Sequence, residues 1–553
     1  MTFQKYPARQ HARKVVEALY KGEKAEGTHA IFLQAPPVEC RHDTDRELAF
    51  HQEANFTYLT GYPHADASVL ITVKSSSNGE PTLEHTLFVP PALPEVTMWS
   101  VRPPTLDEAK AAFDSDHVRS TVDLGQALAD LSAGGPVHLH TLPLTKEYPA
   151  LPQSVLDLVG GNGPKSTTQH DTARLLEALH IARLTKTDFE IELMREANWI
   201  SSGAHEVVMR ELGKSAKKRK EGQGKGKERT GKEGLNEWEV EGEADAEAVF
   251  VAACRRQGST PAYLPICASG SRASTLHYVC NDQIFPHLAE PRQNGDRSFH
   301  RHLQRGCCSS DNHQAYTAST PIGAYHADSF EPQVLLIDAG GEWQNYASDI
   351  TRTVPVGNGG SFTKEAGEIY ELVLRMQKEC ETMLRPGVHW DTIHLHSHRV
   401  LIDGLIKLGI VKGDPEAILQ SGITCAFYPH GLGHSLGLDV HDSRQYLRST
   451  QTNLPTSSKE TPAKLYTYLR IRQPLLEGMV LTVEPGCYFP PQLMDEHGVW
   501  TSEYVDHEVL KRYIPVGGVR IEDAVLVKKD GMKNLTTAPR ERKEVEAICS
   551  GEA

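Results

Sequence analysis

The chain has 553 residues, more than one hydrophobic core ordinarily fills, so more than one domain is expected. A net charge of −14 and a pI of about 6.0 argue against nucleic acid or an anionic membrane as partner. No apolar run approaches the ~20 residues of a membrane span, and MTFQKYPARQHARKVV lacks the apolar core of a secretory signal. Ten cysteines show neither CxxC metal spacing nor a disulfide framework, which leaves the cytoplasm as the default location.

The first ~175 residues alternate short apolar runs with helical stretches, an α/β pattern. HAIFLQ (29–34), SVLITV (68–73) and HTLFVP (85–90) are the candidate strands. The segment ARLTKTDFEIELMREANWISSGAHEVVMREL opens a second domain. Its Thr187 and Glu190 have capping-box spacing, and Ile191 and Met194 start an apolar stripe. Domains of 1–180 and 181–545 follow.

Residues 214–234 are a Lys/Gly/Glu tract too polar to bury a core, expected to be a solvated loop rather than a localisation signal. The run STLHYVCND (274–282) is expected to be a strand. Residues 283–330 hold Cys307, Cys308 and five histidines without apolar period, a long interruption between strands. They read as a disordered surface insertion or as sequence kept by mistake in a gene model. TKEAGEIYELVLRMQKECETML puts Ile369, Leu372, Val373, Met376, Cys380 and Met383 on one helical face, and Pro386–Gly387 stop it. Strand patterns return in VLLID (334–338), MVLTVEP (479–485) and VRIEDAVLV (519–527), with a Ser/Thr/Pro-rich loop at 443–465. Helices with an antiparallel sheet describe an α+β second domain.

Asp338 and Asp349 lie eleven apart at the ends of apolar runs joined by GGEWQNYA, which aims both carboxylates at one point. Strand-end aspartates often cap turns, so the pair alone is weak. Glu484 and Glu522 sit inside apolar strands, where a carboxylate is costly unless paired or bound to metal. His430, His434 and His441 fall within twelve residues, amid glycines that let a backbone approach a substrate closely. His394, His396 and His398 lie on a helix, where 394 and 398 share a face and 396 points away; a structural or surface role is expected. Oxygen donors with a single nitrogen suit a pair of divalent cations rather than tetrahedral zinc, and such a pair activates water for hydrolysis.

DAGGEWQNYASDITRT, PHGLGHSLGLDVHD, TVEPGCYF and GGVRIEDAV together resemble the Xaa-Pro aminopeptidase and prolidase branch of the pita-bread metallopeptidases, in its fungal form, over 184–282 and 331–537. RHDTDRELAFHQEANFTYLTGY (41–62) is similar to the creatinase-like N-terminal domain of that branch. The resemblance implies a pita-bread α+β catalytic domain behind a creatinase-like α/β domain. It implies that Asp338, Asp349, His434, Glu484 and Glu522 ligate two metals, usually manganese, with Asp349 and Glu522 bridging. Glu484 would also be the general base, and His430 and His441 would stabilise the tetrahedral intermediate. His277 and Arg520 would bind substrate, as would Arg472, with Arg470 as its rival.

The implied substrates are peptides with proline second, in a homo-oligomer (dimer or tetramer). An X–Pro dipeptidase stays open as the alternative. A catalytically inactive binding module is disfavoured because its kind typically lacks the acidic ligands.

Overall fold

The three apolar runs of the N-terminal segment become neighbouring strands. A computed structural model of the chain describes residues 5–21, 27–74, 82–160, 168–221, 239–283, 285, 333–443, 446–447, 451 and 453–553. The chain divides into two compact units, Met1–Phe189 and Glu190–Ala553. The helix Arg174–Leu184 falls in the first unit, where it packs on Ala8–Leu19. Tyr58 donates its hydroxyl to the Ala182 carbonyl at 3.0 Å, and Arg183 donates to Asn55 at 2.8 Å. These bonds carry the first unit several residues past position 180.

In the first unit β1 (Thr28–Gln34), β2 (Ser68–Lys74), β3 (Thr82–Val89), β4 (His117–Ser120), β5 (Val137–His140) and β6 (Thr168–Asp171) form one mixed sheet. Its spatial order is β4-β3-β2-β1-β5-β6. Side chains alternate across a strand, so Ala30, Phe32, Leu70, Phe88, Val137 and Leu139 share one face. They pack there against Leu124, Leu128 and Val155 of two covering helices.

The second unit is built on short antiparallel pairings. β7 is Thr260–Pro261, β8 Ile266–Ser269, β9 Gln333–Asp338, β10 Gly341–Trp343, β11 Tyr346–Ala347 and β12 Thr351–Val356. β9 lies between β8 and β12, with Thr351 opposite Asp338. β10 and β11 make the hairpin that returns the chain, with Gln344 and Asn345 both at positive φ as a two-residue turn of matching twist requires. Further on, β13 (Val480–Val483) pairs with β16 (Asp523–Lys528), and β14 (Gly486–Tyr488) with β15 (Gly518–Arg520).

The helix Lys364–Thr382 starts at Thr363, whose hydroxyl accepts the Ala366 N–H, a cap worth about 1 kcal/mol. Its stripe of Ile369, Leu372, Val373, Met376 and Cys380 is buried, and the helix packs on Trp390–Lys407. Each such apolar side chain contributes roughly 1.5–3 kcal/mol on burial. No helix among the described residues is long and apolar enough to cross a membrane.

Five sequence expectations change. Residues 274–282 form no strand: a 3₁₀ turn at Gly270–Ser274 leads into irregular chain. The Asn281 side chain there bonds Cys267 N–H and Pro265 O, satisfying backbone that a ladder would otherwise serve. Residues 214–220 are helical, continuing Asp188–Lys220, because Lys and Ala are good helix formers; 222–234 lie outside the described residues. The run 519–527 is two strands broken at Ile521–Glu522, and 443–465 contains helical turns at Thr456–Glu460 and Ala463–Tyr466. Phe285, inside the expected insertion, is buried and donates to Glu241 O at 2.9 Å, while 286–330 lie outside the described residues.

Candidate metal centre

Asp338 ends β9, and Asp349 sits just before β12, the neighbouring strand. Gly340 is needed here, because a Cβ would run into the Ser348 carbonyl and push the two segments apart. Glu484 directly follows β13, and Glu522 occupies the break between β15 and β16. Glu522 is held by an antiparallel bridge to Thr351, with its N–H on Thr351 O at 3.1 Å. Buried Arg352 fixes the same break from below, donating to Glu522 O at 2.8 Å and to the Asp523 carboxylate at 2.7 Å. His434 is carried by a loop lying along β13, its N–H on the Thr482 hydroxyl at 3.0 Å. Gly433 permits that approach, since a Cβ would strike the Thr482 carbonyl.

These elements bring all five side chains together. Single ligand atoms of Asp349, His434 and Glu522 lie within 4.8 Å of one another. His434 Nε2 is 3.3 Å from Asp349 Oδ2 and 3.4 Å from Glu484 Oε1. The Tyr263 hydroxyl lies 2.7 Å from Asp338 Oδ1 and 2.6 Å from Asp349 Oδ1, so it joins the fourth carboxylate to the group.

The electrostatics of the bare protein are unbalanced in the direction a cation would correct. Burial pushes the Glu522 pKa well up, and Asp349, Glu484 and Asp338 add to it. Burial also raises Glu484, and it raises Asp338 against the pull of Arg520. Only Asp349 falls: burial opposes, but the hydrogen bond and charge of His434 win. The same pairing raises His434 despite its burial. Glu522 Oε2 accepts the Thr351 hydroxyl at 2.7 Å, whereas its buried Oε1 meets no hydrogen-bond partner among the described residues. A single Tyr263 proton likewise serves two carboxylates. A buried anionic group with one orphaned oxygen is costly unless something positive is present. The donor set therefore fits divalent cations.

The histidines divide by their partners. His434 donates Nδ1–H to Ser435 O at 3.1 Å, which turns Nε2 to the carboxylates as the atom that would ligate a cation in place of the proton it shares with Asp349. His441 packs edge-on against His434 with centroids 4.4 Å apart, and burial, with the charge of His434, pushes its pKa down to about 2. His430 is tied into hydrogen bonds of its own. Its Nδ1–H is spent on Gly431 O at 2.8 Å, so its Nε2 accepts the Tyr488 hydroxyl, also at 2.8 Å. The Tyr488 oxygen takes an N–H of Arg520 at 3.0 Å. His430 is thus the acceptor end of a relay anchored on Arg520, whose other arm pairs with Asp338.

His277 is exposed on its loop, close enough to His441 for the charge to be felt there. Arg472 does not belong with this group. Its guanidinium grips buried Asp391 with both nitrogens, at 2.9 Å and 2.7 Å, and stacks over Tyr466. Arg470 is the arginine whose charge reaches His430, His434 and His441.

Sequence reasoning missed Tyr263, Thr351, Thr482 and Tyr488. Thr482 was discoverable, because it lies two residues before Glu484 in an otherwise apolar strand and its hydroxyl donates to that carboxylate at 3.2 Å. Thr351 likewise follows Asp349 by two. Tyr263 gave no signal, standing beside a two-residue strand.

The model of metallopeptidase family M24 matches residues 192–529, and that of the aminopeptidase P N-terminal domain matches 8–140. This chain belongs to metallopeptidase family M24. It is 35% identical over 554 residues to a probable Xaa-Pro aminopeptidase of Sordaria macrospora, covering 98% of this chain and 96% of that one. Among solved structures it resembles E. coli aminopeptidase P with the inhibitor Pro-Leu, at TM-score 0.68 and 23% identity, covering 99% of both chains. A zinc-substituted E. coli aminopeptidase P in complex with product is similar at TM-score 0.67 and 25% identity, again over 99% of each chain. The M24 chain thus carries the two-domain aminopeptidase P architecture: an N-terminal α/β domain and a pita-bread α+β domain.

Proposed function

We propose that this chain removes the N-terminal residue from peptides whose second residue is proline, by metal-dependent hydrolysis of the X–Pro bond. The observation that carries the chemistry is the buried Glu522 carboxylate, with one oxygen unpartnered among Asp349, Glu484 and Asp338. The fungal relative named for Xaa-Pro aminopeptidase activity points to the bond. Asp338, Asp349, His434, Glu484 and Glu522 would hold two divalent ions. Manganese suits a set so rich in hard oxygen donors. Such ions supply the positive charge that acidifies water and polarises a carbonyl.

This chain's own groups do the rest. Glu484, raised by burial, accepts the proton of the attacking water, since a general base works best when its pKa approaches the working pH. Neutral His441 offers an N–H to the developing oxyanion without adding a like charge beside the cations. The relay Arg520–Tyr488–His430 holds that wall of the cleft in one hydrogen-bonded arrangement. His277, Arg520 and Arg470 bind the peptide. An X–Pro bond lacks the N–H by which ordinary peptidases orient a substrate, so positioning must come from the peptide's ends and the proline ring. The enzyme works in the cytoplasm as a dimer or tetramer.

The deciding experiment incubates purified protein with Arg-Pro-Pro and with Gly-Pro, with manganese or with a chelator. Manganese-dependent release of the first arginine is expected, abolished by chelation and restored by readdition. Cleavage of Gly-Pro alone would make it a dipeptidase. No cleavage of either peptide in manganese would overturn the proposal.

A further inference from the structure

Glu243, fully buried at the start of the helix Glu243–Arg256, touches none of the five proposed ligands in any described hydrogen bond or ion pair, yet its carboxylate is densely used. Oε1 accepts the Ser269 N–H at 2.8 Å, the Ser269 hydroxyl at 2.7 Å and Arg272 Nε–H at 3.1 Å. Oε2 accepts the Gln283 N–H at 3.0 Å and shares the one Tyr278 hydroxyl proton with Asp282, the hydroxyl lying 3.0 Å from Glu243 and 2.6 Å from Asp282. The Glu243 N–H closes on Gln283 O at 2.9 Å. Ser269 is the last residue of β8, and Gln283 stands at the far end of the loop that follows. One carboxylate therefore fastens both ends of residues 270–283, and His277 stands between the ends.

Beyond one 3₁₀ turn that loop has no regular structure to hold it. Hydrogen bonds to an ionised acceptor are roughly twice as strong as neutral ones, and a carboxylate at a helix start is further favoured by the helix dipole. We infer that Glu243 is a positioning residue: it holds the His277 loop at the height where His277 meets the peptide. The inference rests on the proposed role of His277 in substrate binding. Asn281 fastens the same loop separately, to Cys267, Pro265 and Glu247. The loop therefore keeps a second anchor when Glu243 is changed.

The test is a double-mutant cycle on the full chain loaded with manganese, using Glu243→Gln, His277→Ala and the double variant. kcat, KM, metal content and Tm are measured for each. Glu243→Gln is expected to raise KM about tenfold with kcat and metal content nearly unchanged. In the His277→Ala background it should change kcat/KM less than about twofold, the signature of two residues acting as one. Should Glu243→Gln fold poorly, Tyr278→Phe, which removes one arm of the clamp, takes its place in the same cycle. Equal effects of the clamp substitution in both backgrounds, or an unchanged KM, would overturn the inference. A wild-type kcat/KM in His277→Ala alone would instead show that the role given to His277 is wrong.

Discussion

Among the described residues of the second unit, two pairs of histidines stand four residues apart, and in only one of them does a ring face two carboxylates. His394 and His398 share a face of the helix Trp390–Lys407, with rings edge to edge at 4.8 Å. His394 Nε2 bonds Leu465 O at 2.7 Å and His398 Nδ1 meets the Thr424 hydroxyl at 3.0 Å. Burial pulls His394 down to about 4 and His398 well below its usual value. In the other pair His434 faces Asp349 and Glu484, and its pKa goes up. Spacing and burial are alike, so neither makes a metal site. What separates His434 from the other three is the company: carbonyls and hydroxyls keep His394, His398 and His430 neutral, whereas two carboxylates around His434 leave a charge that a cation must balance.

The largest expected contrast comes from removing one member of the acidic group. Glu522→Gln should lower kcat/KM by on the order of 10³-fold or more and reduce bound metal, with circular dichroism unchanged. His394→Gln, assayed beside it, should keep kcat within about threefold. Wild-type turnover by Glu522→Gln would dissolve the distinction between the two pairs.

Chelation should act on the same side of the comparison. Removing ions that bind the folded chain at 100 times their Kd costs about 2.7 kcal/mol. A fall in Tm, reversed by manganese, is therefore expected for the wild type and should nearly vanish in Glu522→Gln. Equal falls in both proteins would place the stabilising metal elsewhere.

The other pair should answer to pH instead. His394 titrates near 4 in the folded protein against 6.5 without its surroundings, so the unfolded chain takes up the proton first. Its contribution is intact above pH 6.5 and is lost as pH falls towards 4, by about 2 kcal/mol at pH 5. The difference in unfolding free energy between wild type and His394→Gln, followed from pH 7 to 4.5, should change by that amount. A flat difference would mean His394 is not held neutral.

The smallest effect separates the arginines. Arg470→Ala should raise KM by roughly tenfold with little loss of stability, while Arg472→Ala, which strands buried Asp391, should lower Tm and leave KM nearly unchanged. The reverse result would return Arg472 to the substrate.

Much of the scaffold was legible because periodicity reports burial directly. The strands at 29–34, 68–73 and 85–90 and the stripe from Ile369 to Cys380 follow from it. The errors fall where side chains replace the ladder. STLHYVCND reads as a strand from its apolar residues, but only Tyr278 among them is fully buried, and the side chains of Asn281 and Glu243 bond the backbone of Cys267, Pro265 and Gln283 on either side of it. VRIEDAVLV looked continuous because the break at Ile521–Glu522 leaves every neighbouring residue buried. The polar tract's first residues stayed in a helix because propensity outlasts hydrophobicity there.

The five carboxylate and imidazole side chains were readable one by one, since a charge in an apolar run, or a histidine among glycines, has few inexpensive explanations. Their order of connection was not. That Tyr263 spans two aspartates and that Arg352 pins the Glu522 break depend on segments 75 to 170 residues apart meeting within 3 Å. Sequence displays which groups are expensive to bury. Only the folded chain decides which neighbour offsets the cost, because hydrogen bonds and charges act over distances that a linear order does not contain.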